Sequence, residues 1–141
     1  MEFRTMKPED VPFVQGHTIS HGMVMSEEAV LYEAFALEHE GKVLGAGGIR
    51  MIVPGTAWAW VDLTGYALTR VKTCYRVIAE WMEKLVERHQ IHRLQAYVDL
   101  EFEEAVRLVE HLGFTRESIM WDFLGDKPAA MYIKIYHREV S

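Results

Sequence analysis

"IHRLQAYVDLEFEEAVRLVEHLGFTRE", Ile91–Glu117, changes its hydrophobic period halfway along. Its first part, "HRLQAYVDL", alternates apolar and polar residues, the pattern of a half-buried strand. The second, "EFEEAVRLVEHLGF", reads as a helix, acidic at its start, where negative charge complements the helix dipole, and stopped by Gly113. A strand running directly into an amphipathic helix excludes an all-helical bundle and an all-β sandwich.

Before it, Tyr75, Ile78, Met82, Leu85 and Val86 recur at helical spacing between Thr73 and His89, with Arg76, Glu80, Glu83, Lys84 and Glu87 elsewhere around the wheel. "TAWAWVDLTGYA" alternates and carries aromatics, so it predicts a strand, and "AFALEHEGKVLGAGGIRMIV" predicts a hairpin joined by "EGK". Ser26, with Glu27 and Glu28, resembles an N-cap ahead of a short helix over "AVLYEAF". "EFRTM" predicts a first strand, and Pro8, Glu9 and Asp10 suit the first turn of a helix over "KPEDVPFVQGH". Beyond Glu117, "ESIMWDFL" and "AAMYIKIYH" predict two strands joined by the turn-rich "GDKP". The order is strand, two short helices, three strands, helix, strand, helix, two strands. That order predicts a mixed sheet covered by helices, an α/β (α+β) fold.

With 141 residues, half of them hydrophobic, the chain fits one domain, 1–141, able to bury a core without disulfides or metal. Its single cysteine, Cys74, excludes an internal disulfide and agrees with a reducing compartment. The N-terminus "MEFRTMKPED" lacks a signal-peptide apolar stretch and no apolar run is long enough to span a bilayer, so a cytoplasmic protein away from membranes is expected. A net charge of −6 argues against a nucleic-acid footprint over the whole surface.

The element order, together with Ile91–Glu117, resembles the GNAT superfamily of acyl-CoA-dependent N-acetyltransferases. These carry a long helix, a strand, a helix ending in Leu-Gly-Phe and a closing hairpin. The resemblance implies a mostly antiparallel mixed sheet of about six to seven strands flanked by about four helices. Within the superfamily the chain looks most like short GNAT-like proteins of tailed phages. The family's phosphate turn has the form Arg/Gln-x-x-Gly-x-Gly/Ala. Placing Arg70 on its leading residue puts Ile78 on the family's helical Leu and Ile91 at the opening of the next strand.

What the resemblance implies is acetyl-CoA as cofactor, held by the backbone of Leu63 and Gly65, the turn Arg70, Val71, Lys72, Thr73, Cys74 and Tyr75, and Phe102. Four positions depart from the pattern: Thr73 and Tyr75 stand where the turn has glycines, Phe102 where many relatives have an Asn, and Val109 where many have a Tyr that protonates the departing thiolate. Glycine suits such a turn because the missing Cβ lets N–H groups close on a pyrophosphate. Arg70, Lys72 and Arg76 offer charge-assisted contacts in partial compensation.

Direct transfer needs a base for the attacking ammonium, and Asp62 sits where relatives place a carboxylate. By alternation it shares a face with Trp58, Trp60 and Thr64, opposite Ala59, Val61 and Leu63, a face that either walls an acceptor cleft or packs under the helices. Tyr66 is a second candidate proton carrier, against the simpler reading of a core tyrosine. His17 and His21 have metal-ligand spacing, but nothing completes a zinc set and no metal is expected; they fall instead in a loop that lines the acceptor site in relatives. His89 and His92 mark a helix end, and Cys74 reads most simply as a packed thiol. Two functions remain: an N-acetyltransferase using acetyl-CoA on an amine of a protein or small molecule, or a GNAT-fold interaction module without catalysis, a virion or host-directed factor, with a second copy of the chain (a homodimer) as a candidate partner.

Overall fold

A computed structural model describes residues 1–20 and 33–136. Seven strands, β1 (Glu2–Thr5), β2 (Glu33–His39), β3 (Lys42–Val53), β4 (Thr56–Leu63), β5 (Arg93–Asp99), β6 (Thr115–Leu124) and β7 (Lys127–Ile135), form one sheet in the order β1-β2-β3-β4-β5-β7-β6. Every neighbouring pair is antiparallel except β4 and β5. Among the described residues there are three α-helices, α1 (Asp10–His17), α2 (Val71–His89) and α3 (Glu103–His111), and a 3-10 segment, Gly65–Arg70, leading straight into α2. None of these helices is long and apolar enough to cross a membrane.

The helix over "AVLYEAF" is corrected at its end: Glu33, Ala34 and Phe35 belong to β2, paired with β3 through Glu33↔Ile49 and Phe35↔Gly47, while the Ser26 cap and His21 lie outside the described residues. Ala34 and Ala36 are buried beneath α1, so a short apolar run of either period is drawn into the sheet by its partners.

Two cores sandwich the sheet. Under α2 and α3 lie Ile49, Ala57, Leu94, Ala96, Val98 and Tyr132, packed against Ile78, Met82, Leu85, Leu108 and Val109. Leu94 is completely buried, and burying such a side chain is worth about 1.5–3 kcal/mol. Val11 and Val14 of α1 cover Met6, Ala34 and Ala46 on the other face, with Trp60 at the edge. Arg4 fixes α1 to β1, its guanidinium donating to both Asp10 carboxylate oxygens at 2.7 and 2.9 Å. On this second face the described helices cover only the β1–β4 side; across β5, β7 and β6 it carries Tyr97, Phe123 and Ile135, the last two exposed.

Candidate functional site

β4 and β5 are held together only at one end. Their parallel pairing covers Thr56↔Arg93, Ala57↔Leu94 and Trp58↔Gln95, and then stops. Beyond that point lies a cavity of about 620 Å³. On the side of α3 it is lined mostly by carbon, from Ala59, Leu63, Val98, Phe102, Leu108 and Val109, with Glu104 as a charged group among them. On the opposite face Arg50, Trp58, Trp60, Asp62, Tyr97 and Asp99 converge on it. The cavity therefore passes through the gap between two strands and opens to both faces of the sheet.

The backbone along this gap can be read from the register. Thr64 N–H donates to Leu44 C=O (2.9 Å), and Asp62 pairs with Ala46. In an antiparallel ladder successive residues direct their amide groups to opposite sides, so Ala59, Val61 and Leu63 point theirs toward the opening. Leu63 C=O is already taken by Ile19 N–H at 3.0 Å, part of a short bridge in which Thr18 pairs with Thr64. The Leu63 N–H and the Val61 amide remain directed at the gap. Gly45 allows β3 to sit this close, since a Cβ there would come within 2.8 Å of Leu63 Cδ2.

Asp62 is buried, lines the cavity and accepts a hydrogen bond from the Thr18 hydroxyl. Thr18 Oγ1 in turn accepts from Ser20 N–H at 3.0 Å, so the segment following α1 is folded onto the carboxylate. Tyr66 does not line the cavity; it is half-exposed, stacked against Phe13 with centroids 6.0 Å apart and covered by Lys42 Nζ at 5.3 Å. The 3-10 segment turns it away, and Gly65, at the start of that segment, is exposed. His17 stacks on Phe13 and its Nδ1 meets Phe13 C=O at 2.8 Å. His89 lies half-buried against Glu33 rather than at a solvated helix end.

At the start of α2, Arg70, Lys72 and Arg76 are exposed, the first turn holds no acid, and among the described residues none of the three makes an ion pair. Val71, Thr73 and Tyr75 are half-buried and Cys74 is fully buried. Neither Thr73 nor Tyr75 enters the cavity: the Tyr75 ring leans on α3, 5.2 Å from His111. Burial pushes the Cys74 thiol up, with Arg70 pulling only partly back, so it is no activated nucleophile.

Tyr97, Asp99, Arg50 and Glu104 also line the cavity and were not singled out in the sequence. Burial raises the Tyr97 phenol, which keeps its proton at neutral pH. Its alternation in β5 assigns it to a face; the signal that could have found it is its parity with Asp99 beside a strand that carries Asp62.

No family model matches the chain, and no curated protein matches it. Solved structures do. The ribosomal-protein-S18-alanine N-acetyltransferase from Escherichia coli superposes with a TM-score of 0.77 at 17% identity, covering 99% of this chain and 96% of its own. A Salmonella typhimurium protein assigned as an acetyltransferase and solved with its cofactor acetyl-CoA gives 0.75 at 13% identity over 100% and 96%. A spermidine N-acetyltransferase mutant from Vibrio cholerae gives 0.72 at 15% identity over 96% and 95%. Likeness at these identities resides in the backbone, and it agrees with the strand order and the parted strands: the chain has the GNAT N-acetyltransferase fold.

Proposed function

We propose that the chain is an N-acetyltransferase that uses acetyl-CoA to acetylate an amine by direct attack. The observation that carries this reading is the gap after Trp58↔Gln95, with strand amides directed into a cavity that reaches Asp62 on one face and α3 on the other. The residues present fit a CoA thioester in two respects. The carbon-lined half of the cavity, with the Val61 and Leu63 amides along it, suits an amide-bearing thiol arm, and the α2 start presents three cations without a described acidic partner. Arg70, Lys72 and Arg76 would hold the phosphates, with the first N–H groups of α2 beside them.

When bound, acetyl-CoA supplies an acyl thioester open to attack by nitrogen. Asp62 takes a proton from the ammonium so that a lone pair is available. The Leu63 or Val61 N–H orients and polarises the carbonyl oxygen as charge builds there. Tyr97 Oη would supply the proton that the departing sulfur needs, the nitrogen's second proton would leave to solvent, and Val109, buried in α3, has no group for that donor role. Solvent reprotonates Tyr97.

Calorimetric titration with acetyl-CoA tests the reading directly; no heat at millimolar ligand overturns it and leaves the interaction module. Arg70→Ala weakens binding about tenfold or more through loss of one charged contact. Unchanged affinity would remove the α2 start from the site.

A further inference from the structure

The half of the cavity away from α3 has a chemistry of its own. Along β4, Trp58, Trp60 and Asp62 lie on one face, so two indoles lead up to a buried carboxylate over about 13 Å of strand. Across the gap the Tyr97 ring packs on Trp58 with centroids 4.2 Å apart. Phe123 of β6 continues the row, 4.8 Å from Tyr97 and half-exposed. The result is an aromatic track that starts at the cavity's carboxylate and ends at the surface.

We infer that the occupant of this track is a primary amine on an apolar or aromatic body, its ammonium at Asp62 and its body lying along Trp60, Trp58 and Tyr97 toward Phe123. Calling it the acceptor rests on the transferase reading; its binding does not. The charge follows from the carboxyl group in the cavity lining, whose oxygens accept from an ammonium more strongly than from a neutral donor of equal shape. The apolar body follows from the rings, whose flat faces favour stacking and whose π-clouds favour a nearby ammonium. A polyamine would want carboxylates spaced along its length. Here the track between Asp62 and Phe123 presents rings, Asp99 has one oxygen committed to Glu101 N–H (3.0 Å), and Arg50 adds a positive charge to the same lining.

Calorimetry with phenylbutylamine, phenylbutanol, spermidine and the peptide Ala-Gly-Gly, each with and without CoA, tests the inference. Phenylbutylamine is expected to bind at least tenfold more tightly than the other three. Asp62→Asn should remove most of the preference for the amine over the alcohol. Tyr97→Ala should weaken the amine severalfold, Phe123→Ala less, and Tyr97→Phe, which keeps the ring, should leave binding near that of the parent while slowing turnover. Phe123 is half-exposed, so its variant folds and keeps the test valid where others do not. Tighter binding of spermidine or the peptide, or indifference to both Tyr97→Ala and Phe123→Ala, overturns the inference. Amine binding by a protein that gives no heat with acetyl-CoA leaves it standing and removes the transfer reading instead.

Discussion

Three α-helices begin among the described residues, and two of them differ from the third in charge. α1 starts with Asp10, whose carboxylate accepts Lys7 N–H at 2.8 Å and the Arg4 guanidinium; α3 starts with Glu103 and Glu104. Both place negative charge at the positive end of a helix dipole, which is worth about 0.3–1 kcal/mol per charge. α2, the longest of the three, has no acid in its first turn and carries Arg70 at its N-cap and Lys72 in that turn, with Arg76 one turn further on. The first two helix starts are settled within the chain. The third is electrostatically unfavourable by itself and becomes favourable once an anion is present. The difference separates residues arranged for stability from residues that lower it, the ones to which the proposed function gives the phosphates.

The largest effect is expected where that contrast is erased. Combining Arg70→Glu, Lys72→Glu and Arg76→Glu gives α2 the polarity of α3. Three charged contacts at about 1.5–3 kcal/mol each put the loss of acetyl-CoA affinity at roughly a thousandfold or more. At the same time the melting temperature should rise slightly, because the reversals at Arg70 and Lys72 now complement the dipole. Calorimetry and a thermal scan read the two effects separately. A variant that melts lower, or that binds as before, breaks the comparison.

A smaller effect belongs to α1. The Asp10 carboxyl is held below its ordinary value: burial opposes this, but the Arg4 hydrogen bonds and the Lys7 N–H outweigh it. A carboxylate with a depressed folded-state pKa stabilises above its unfolded value of about 3.9, and that contribution is lost as pH falls through the folded value. Asp10→Asn should therefore cost about 1–3 kcal/mol in denaturant unfolding at neutral pH. The gap between the two proteins should close as both are taken into acid. A gap of constant size from neutral to acid would assign the loss to packing, and α1 would no longer serve as the settled reference for α2.

The same contrast explains what could be read from the residues alone. The periods of α2, α3 and β5 are strong because each element buries one face, and Leu94, Ile78 and Met82 lie in the core where the spacing put them. Residues Glu33–Phe35 were misassigned because four or five apolar positions fit either period, and only pairing with β3 decides. Within the site, Asp62 and Leu63 were legible as members of a strand that meets a turn. Tyr97 and Arg50 were not, because which side chains face each other across β4 and β5 depends on where the parallel register ends, and no local pattern encodes that. The strand expected over "TAWAWVDLTGYA" runs four residues past Leu63, where β4 ends, and Tyr66 falls instead in the 3-10 segment, which rotates it away.

The finest test lies at Tyr75, where the two kinds of helix start meet. The ring fills the groove beside α3, against His111, at a position where a glycine would give a phosphate closer access to the α2 backbone. Tyr75→Gly should lower stability by about 1 kcal/mol from helix propensity, with a further loss for the ring contact. If the cations at Arg70, Lys72 and Arg76 act as the substitute for that backbone approach, acetyl-CoA affinity should rise in the same variant, by severalfold at most, because the charged contacts are already in place. Opposite signs in the two measurements show that the side chain was kept for the helix at the ligand's expense. A fall in both shows that the ring itself contacts the ligand, and that the α2 start works by stacking as well as by charge.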